Sequence, residues 1–184
     1  MRLHRRRVLA AAGGTLAAAM WPRKPRAAEK LPPLSEGLQP VSPPEAVPDV
    51  PFLGADGTPH HLADFKGRGM VVNLWATWCA PCVAEMPSLE ALSKALAPAD
   101  IAVLPLSSDR GGAATVQAWF DSHDIKGLPV LLDPKGALAR AFNARGVPTT
   151  LVINKSGRVI AKLEGAADWG APEAQALVRK LAST

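Results

Sequence analysis

The chain has 184 residues, a length that suits one domain and leaves little room for a second. Its 21 Lys and Arg outnumber its 16 Asp and Glu, for a formal net charge of +5. Seven of those cations (Arg2, Arg5, Arg6, Arg7, Arg23, Lys24, Arg26) lie within residues 1–28, which hold no acidic residue. Residues 29–184 therefore carry 14 basic against 16 acidic side chains, a net of −2, and give no electrostatic ground for binding a phosphate backbone. Eighteen Pro and 15 Gly exclude an all-helical bundle, and 48% hydrophobic residues exclude a wholly disordered chain. Two Cys permit at most one intrachain disulfide.

Residues 1–28 read as a targeting leader. Positive charge at Arg2 and Arg5 to Arg7 precedes an apolar run from Val8 to Trp21. That run is shorter than the roughly 20 residues needed to span a bilayer and suits a signal-peptide core. Arg5-Arg6-Arg7-Val8-Leu9 also resembles a twin-arginine export motif. Ala17-Ala18-Ala19 and Ala27-Ala28 are alternative cleavage sites, and an uncut leader would act as a marginal membrane anchor. Residues 29–46 read as a proline-rich linker, because nine of the 18 prolines fall between Pro22 and Pro51 without apolar periodicity.

The folded domain is expected over residues 47–184. Val50 to Leu53 and Thr58 to Leu62 flank Gly54-Ala55-Asp56-Gly57, a hairpin signal. Met70 to Trp75 is a short apolar run of the kind that forms a strand buried on both faces. A helix over Pro81 to Leu96 places Met86, Leu89, Leu92 and Leu96 along one face, and Ile101 to Leu106 follows as a strand. Such a strand–helix–strand unit pairs in parallel. Further helices are expected over Ala113 to His123, Leu138 to Phe142 and Pro172 to Leu181, with a short strand at Val130 to Leu132. Thr149 to Asn154 and Arg158 to Leu163 form a hairpin across Lys155-Ser156-Gly157. The class is α/β, a mixed central sheet with helices on both faces.

Trp78-Cys79-Ala80-Pro81-Cys82 sits where the Met70–Trp75 strand gives way to the first long helix. The first N–H groups of a helix lack intrahelical partners and carry partial positive charge, so a thiolate at Cys79 is favoured there. Pro81 fits the first turn because its missing N–H would have been unpaired in any case. Two Cys three residues apart can close a disulfide across the turn, with Cys79 attacking and Cys82 resolving. Three other uses compete. A structural staple over so short a loop would remove only ~2 kcal/mol of unfolded-state entropy. A zinc site needs about four ligands, and outside the leader only His60, His61 and His123 could join the thiols. Inert core cysteines would leave Trp78 and Pro81 as coincidences. A redox dithiol is the best reading of the residues.

These residues resemble the thioredoxin superfamily, and within it the TlpA/ResA-like thiol–disulfide oxidoreductases of bacterial envelopes. The likeness is carried by Asn73-Leu74-Trp75-Ala76-Thr77-Trp78-Cys79-Ala80-Pro81-Cys82, by Glu85-Met86-Pro87, and by Gly146-Val147-Pro148-Thr149-Thr150. It covers about Val47 to Ser183 and implies a thioredoxin fold with an N-terminal β-hairpin extension. It implies dithiol exchange at Cys79 and Cys82 with no cofactor and no metal. It implies that Pro148 is cis beside the dithiol, leaving the Val147 backbone free to pair with an extended substrate. Trp78, Ala80 and Pro81 would complete the substrate-binding surface. Glu85, one turn beyond Cys82, is the family's proton-transfer carboxyl; on the residues alone it also reads as an exposed acid near a helix start. Asn73 stands where cytoplasmic thioredoxins usually carry a buried Asp, and Asn cannot titrate.

The implied function is a periplasmic protein, soluble or tethered by its leader, that reduces exported cysteine-containing clients in cytochrome c or respiratory oxidase biogenesis. A membrane thiol relay would supply electrons, and the protein would act as a monomer. A copper-binding assembly chaperone using both thiolates with Met86 or a His is the rival reading. The histidines are expected to face solvent, and Trp75, Trp119 and Trp169 to lie in the core.

Overall fold

The computed structural model describes residues 30–184; the predicted leader and its cleavage sites lie outside them. The chain enters through a helical turn α1 (Leu34–Gly37) and a strand β1 (Gln39–Ala46). Next come β2 (Phe52–Gly54), β3 (Pro59–His60) and a 3-10 turn at Leu62–Phe65, then β4 (Gly69–Trp75), α2 (Ala80–Leu96) and β5 (Ile101–Ser107). The remainder runs α3 (Gly112–Ser122), β6 (Leu131–Leu132), α4 (Ala137–Ala141), β7 (Thr149–Ile153), β8 (Arg158–Glu164) and α5 (Pro172–Ala182). All eight strands join one sheet in the order β1-β8-β7-β4-β5-β6-β2-β3.

β4 lies at the centre, parallel to β5 and antiparallel to β7, and every one of its residues is buried. That explains its nearly continuous apolar sequence, since both faces of a covered central strand avoid water. The period of two still sorts its side chains. Val71 and Trp75 enter the core beneath α2, α3 and α5, where they meet Met86, Leu89, Phe120 and Val178. Met70, Val72 and Leu74 enter a second core on the opposite face with Leu62, Leu138 and Phe52. Trp75 stacks on Phe120 with ring centroids 5.6 Å apart and meets Trp119 edge-on at 5.2 Å. The carbonyl of Ala182 at the end of α5 comes so close to Gly69 that a Cβ there would lie 2.6 Å from it, which only glycine permits.

The expected hairpins form: β2 pairs antiparallel with β3 across the Gly54–Gly57 turn, and β7 with β8 across Gly157 at φ 74°. α2 runs through Pro87 without interruption.

Two expectations need correction. Residues 30–46 are not a spacer. β1 is the edge strand beyond β8, pairing Gln39 with Lys162 and Ala46 with Arg158. Pro40 is tolerated because an edge strand has one side without ladder partners, where a missing N–H costs nothing. The consecutive Pro43 and Pro44 fall where the ladder with β8 is interrupted between Pro40 and Glu45. Leu34, only 2% exposed, anchors the preceding turn in the main core. A run of prolines lacks periodicity whether it is free or docked, so the pattern could not tell the two apart. His60 and His61 do not simply face solvent: the His60 ring packs on Phe52, and His61 Nδ1 lies 2.7 Å from the Asp49 carboxylate.

Candidate active site

The turn from β4 into α2 places Cys79 at the N-cap of the helix, with the Cys82 amide donating to its Sγ at 3.3 Å and the Val83 amide to its carbonyl at 3.0 Å. Cys79 and Cys82 are joined in a disulfide, their Cα atoms 5.2 Å apart. The two sulfurs are unequal. Cys79 is 6% exposed and Cys82 fully buried. An incoming partner thus meets Cys79 first, beside the Trp78 ring, which is 70% exposed. Ala80 and Pro81 are exposed on the same rim.

The loop before β7 crosses this rim. Val147-Pro148 is a cis peptide, and the Val147 carbonyl oxygen lies 3.6 Å from Cys79 Sγ, placed to accept from the Cys79 thiol once the disulfide is reduced. The Thr149 hydroxyl donates to the Gly146 carbonyl and the Gly165 amide to the Pro148 carbonyl, which pin the loop from both sides. A cleft of about 340 Å³ opens between Trp78, Leu74, Leu106, Ala139 and Val147, next to the dithiol.

Asp109, absent from the sequence reading, supports the loop that carries Trp78 and Cys79. It is 4% exposed and accepts from the Thr77 amide (2.9 Å), the Thr77 hydroxyl (2.7 Å) and the Ser107 hydroxyl (2.6 Å). Asp109→Ala strands the buried Ser107 hydroxyl and the part-buried Thr77 donors and should cost about 2 kcal/mol of stability. Denaturant melts of the oxidised protein check this; a loss well under about 1 kcal/mol contradicts the role.

Glu85 is completely buried, which excludes its reading as an exposed acid. Its Oε2 accepts from the Trp169 indole N–H at 2.9 Å and the Ala167 amide at 3.0 Å, and its Oε1 from Asn73 Nδ2 at 2.9 Å. Burial pushes its carboxyl up from 4.5 to about 7, against the pull of those three donors. The group is therefore poised to change protonation near neutral pH. Asn73 Nδ2 also donates to the Thr150 hydroxyl, while its Oδ1 is buried without a partner. As placed, the amide suits an ionised carboxylate. Turned over, Asn73 Oδ1 would accept from a protonated Glu85 and from Thr150.

The structure brings Cys79, Trp78, Ala80, Pro81, Val147 and Pro148 to one rim, with Cys82 buried behind Cys79, and seats Glu85 on the inner side of the same helix. Ala167, Trp169 and Asp109 escaped the sequence reading. From the sequence Trp169 reads as core alone, and the signal that points further is its indole N–H, which seeks an acceptor when buried.

The model of the family described as Redoxin matches residues 43–178. The chain is 31% identical over 118 residues to the thiol-disulfide oxidoreductase ResA of Bacillus thuringiensis subsp. konkukian, spanning 64% of this chain and 67% of that protein. It is 36% identical over 115 residues to the thioredoxin-like protein YneN of Bacillus subtilis, spanning 61% and 66%. Among solved structures, the exposed lipoprotein thioredoxin of Streptococcus pneumoniae aligns with a TM-score of 0.61 at 30% identity, covering 72% of this chain and 98% of that one. A thioredoxin-family thiol:disulfide interchange protein of Chlorobium tepidum aligns at 0.59 with 26% identity, covering 77% and 98%. With a disulfide at the mouth of α2 and a thioredoxin-like sheet behind it, the chain belongs to the Redoxin family, as a thiol–disulfide oxidoreductase of the ResA-like type.

Proposed function

We propose that the protein works in the bacterial periplasm, soluble or tethered by its leader, and reduces disulfides in exported client proteins. The observation that carries this reading is the asymmetry of the disulfide: a reachable Cys79 beside an exposed Trp78, and a Cys82 sealed behind it. In the reduced protein the Cys79 thiolate attacks one sulfur of the client disulfide, forming a mixed disulfide and releasing the client's other sulfur as a thiolate. The Cys82 thiolate then attacks Cys79 Sγ. The second client sulfur leaves, the Cys79–Cys82 bond forms, and two electrons have passed to the client. Glu85 takes the Cys82 proton in this step and returns it when the dithiol is regenerated.

Trp78, Ala80, Pro81, Val147 and Pro148 form the client-binding rim, with the Val147 backbone pairing to an extended client segment. The haem-binding cysteines of apocytochrome c, or the copper-site cysteines of respiratory oxidase subunits, are the client classes to which the ResA-like resemblance points. Outside the cytoplasm a membrane thiol relay would restore the dithiol.

Placement is tested by labelling intact and lysed cells with a membrane-impermeant thiol reagent after reduction. Reaction of Cys79 in intact cells is expected; reaction only after lysis overturns the periplasmic assignment. In the same cells Cys82→Ser should accumulate mixed disulfides through Cys79, whose partners identify the clients. Cys79→Ser should yield none, and equal adduct from both variants contradicts the assigned roles.

A further inference from the structure

The segment that leads into the domain reaches the redox site from outside the helix that carries it. The Asp168 amide donates to the Pro32 carbonyl at 2.9 Å, and Pro33 forms a parallel bridge with Asp168. The residues on either side of Asp168 point the other way: the Ala167 amide and the Trp169 indole both donate to Glu85 Oε2. One extended stretch thus binds the N-terminal segment with its middle residue and the Glu85 carboxyl with its neighbours. Leu34, 2% exposed, fixes the segment at one end. At Gly37 a Cβ would lie 2.5 Å from Leu163 Cδ1, so the backbone there rests directly on β8. Between this segment and the first turn of α2 lies a cleft of about 680 Å³, bordered by Pro32, Pro33, Ala80, Pro81, Ala84 and Ala167.

We propose that Pro32–Leu34 is a strap that positions the Glu85 carboxyl: seated on Asp168, it holds Ala167 and Trp169 in place as donors and keeps water from the site. The strap touches neither sulfur and acts only through the Ala167–Trp169 stretch. The groups bonded to the Glu85 carboxyl are Asn73 of β4 and the Ala167 amide and Trp169 indole of that stretch, and Cys82 lies three residues before it on its own helix; no charged side chain is among its bonding partners. Asp168 turns its carboxylate to the Gly170 amide. Lys30, Glu36 and Glu164 border the outer cleft, on the far side of the stretch.

The direction of the effect follows from what dominates at Glu85. Burial raises its pKa, and the three donors only partly offset this. Releasing the strap frees the stretch, admits water and replaces protein donors by solvent, so the carboxyl returns toward an ordinary glutamate. Removing a single donor while the strap stays closed does the reverse.

The test is the titration of Glu85 in the oxidised full-length protein, read from 13C-labelled glutamate carboxyls and identified by loss of the signal in Glu85→Gln. Leu34→Ala should lower the midpoint by about one pH unit or more, whereas Trp169→Phe should raise it. The double variant Pro32→Gly, Pro33→Gly loosens the strap while leaving Leu34 in the core, so a folding defect in Leu34→Ala does not remove the test. A midpoint unchanged or raised in the strap variants would assign the strap to stability alone and overturn the proposal. The inference rests on reading Glu85 as a proton-transfer group, but the titration reads the carboxyl and not client reduction, so failure of one is distinguishable from failure of the other.

Discussion

Replacing Cys79 with Ser is expected to lower disulfide-reductase turnover by at least about a thousandfold, to the level of uncatalysed exchange. The size follows from chemistry. Ser offers an alcohol whose ionised form is scarce at neutral pH, and its oxygen cannot exchange with a sulfur of the client. Cys82 cannot take over, because it is fully buried behind Cys79, with Ala80 and Pro81 fixing the turn between them. Cys82→Ser should reduce steady-state turnover almost as much, by a different route: the first attack proceeds, and the complex then waits for an external thiol. Stopped-flow measurement with a disulfide substrate separates the two, since only Cys82→Ser should show a single-turnover burst. A Cys79→Ser variant retaining a tenth of wild-type turnover would mean that Cys82 is reachable and that the burial asymmetry has no functional weight.

The second large effect is on stability as a function of pH. Glu85 has its carboxyl raised from 4.5 to about 7 in the folded protein. Below about pH 4.5 the group is protonated in both folded and unfolded chains and contributes no pH dependence. Between about 4.5 and 7 the unfolded chain releases a proton that the folded chain retains, so stability falls as pH rises, and the loss is complete above about 7. At about 1.4 kcal/mol per unit, the fall amounts to about 3 kcal/mol. Urea unfolding of the oxidised protein across this range, compared with Glu85→Gln, isolates the group, because other carboxylates contribute equally to both. The wild type should lose about 3 kcal/mol relative to the variant between the acid and alkaline ends. Parallel stability curves would show that Glu85 keeps an ordinary affinity for its proton. The same variant should slow the resolving step, since Gln cannot take a proton from Cys82.

Much of this architecture was legible because it is local. The apolar run of β4, the helical spacing of α2 and the Asp56-Gly57 and Ser156-Gly157 turns each declare themselves within a few residues, and the Trp78–Cys82 sequence marks the junction where the chemistry sits. What escaped depends on residues far apart in the chain. Ala167 and Trp169 reach Glu85 across 82 and 84 positions, and Asp109 reaches Thr77 across 32. No short-range pattern encodes such a meeting; it follows from the sheet order, which brings the end of β8 beside α2. The strap and β1 escaped for another reason. Proline removes the periodic signal that would have shown Leu34 and the edge strand to be docked, and an edge strand absorbs its prolines at its open side and at the break in register between Pro40 and Glu45. Glu85 lay between these cases: its spacing from Cys82 was visible, but its burial was not.

The direction of electron flow is the central claim, and the reduction potential tests it most directly. A dithiol at a helix start becomes a strong oxidant when its reduced thiolate is heavily stabilised. Here the Cys82 amide and the helix end favour the Cys79 thiolate, while the α2 sequence carries no basic residue before Lys94, and Glu85 nearby opposes negative charge. The disulfide should therefore resist reduction. Equilibrating the purified protein with glutathione redox buffers at pH 7 should give a potential below about −220 mV, nearer thioredoxin than the strong oxidants. A value above about −160 mV would contradict the account and make the protein a donor of disulfides to its clients.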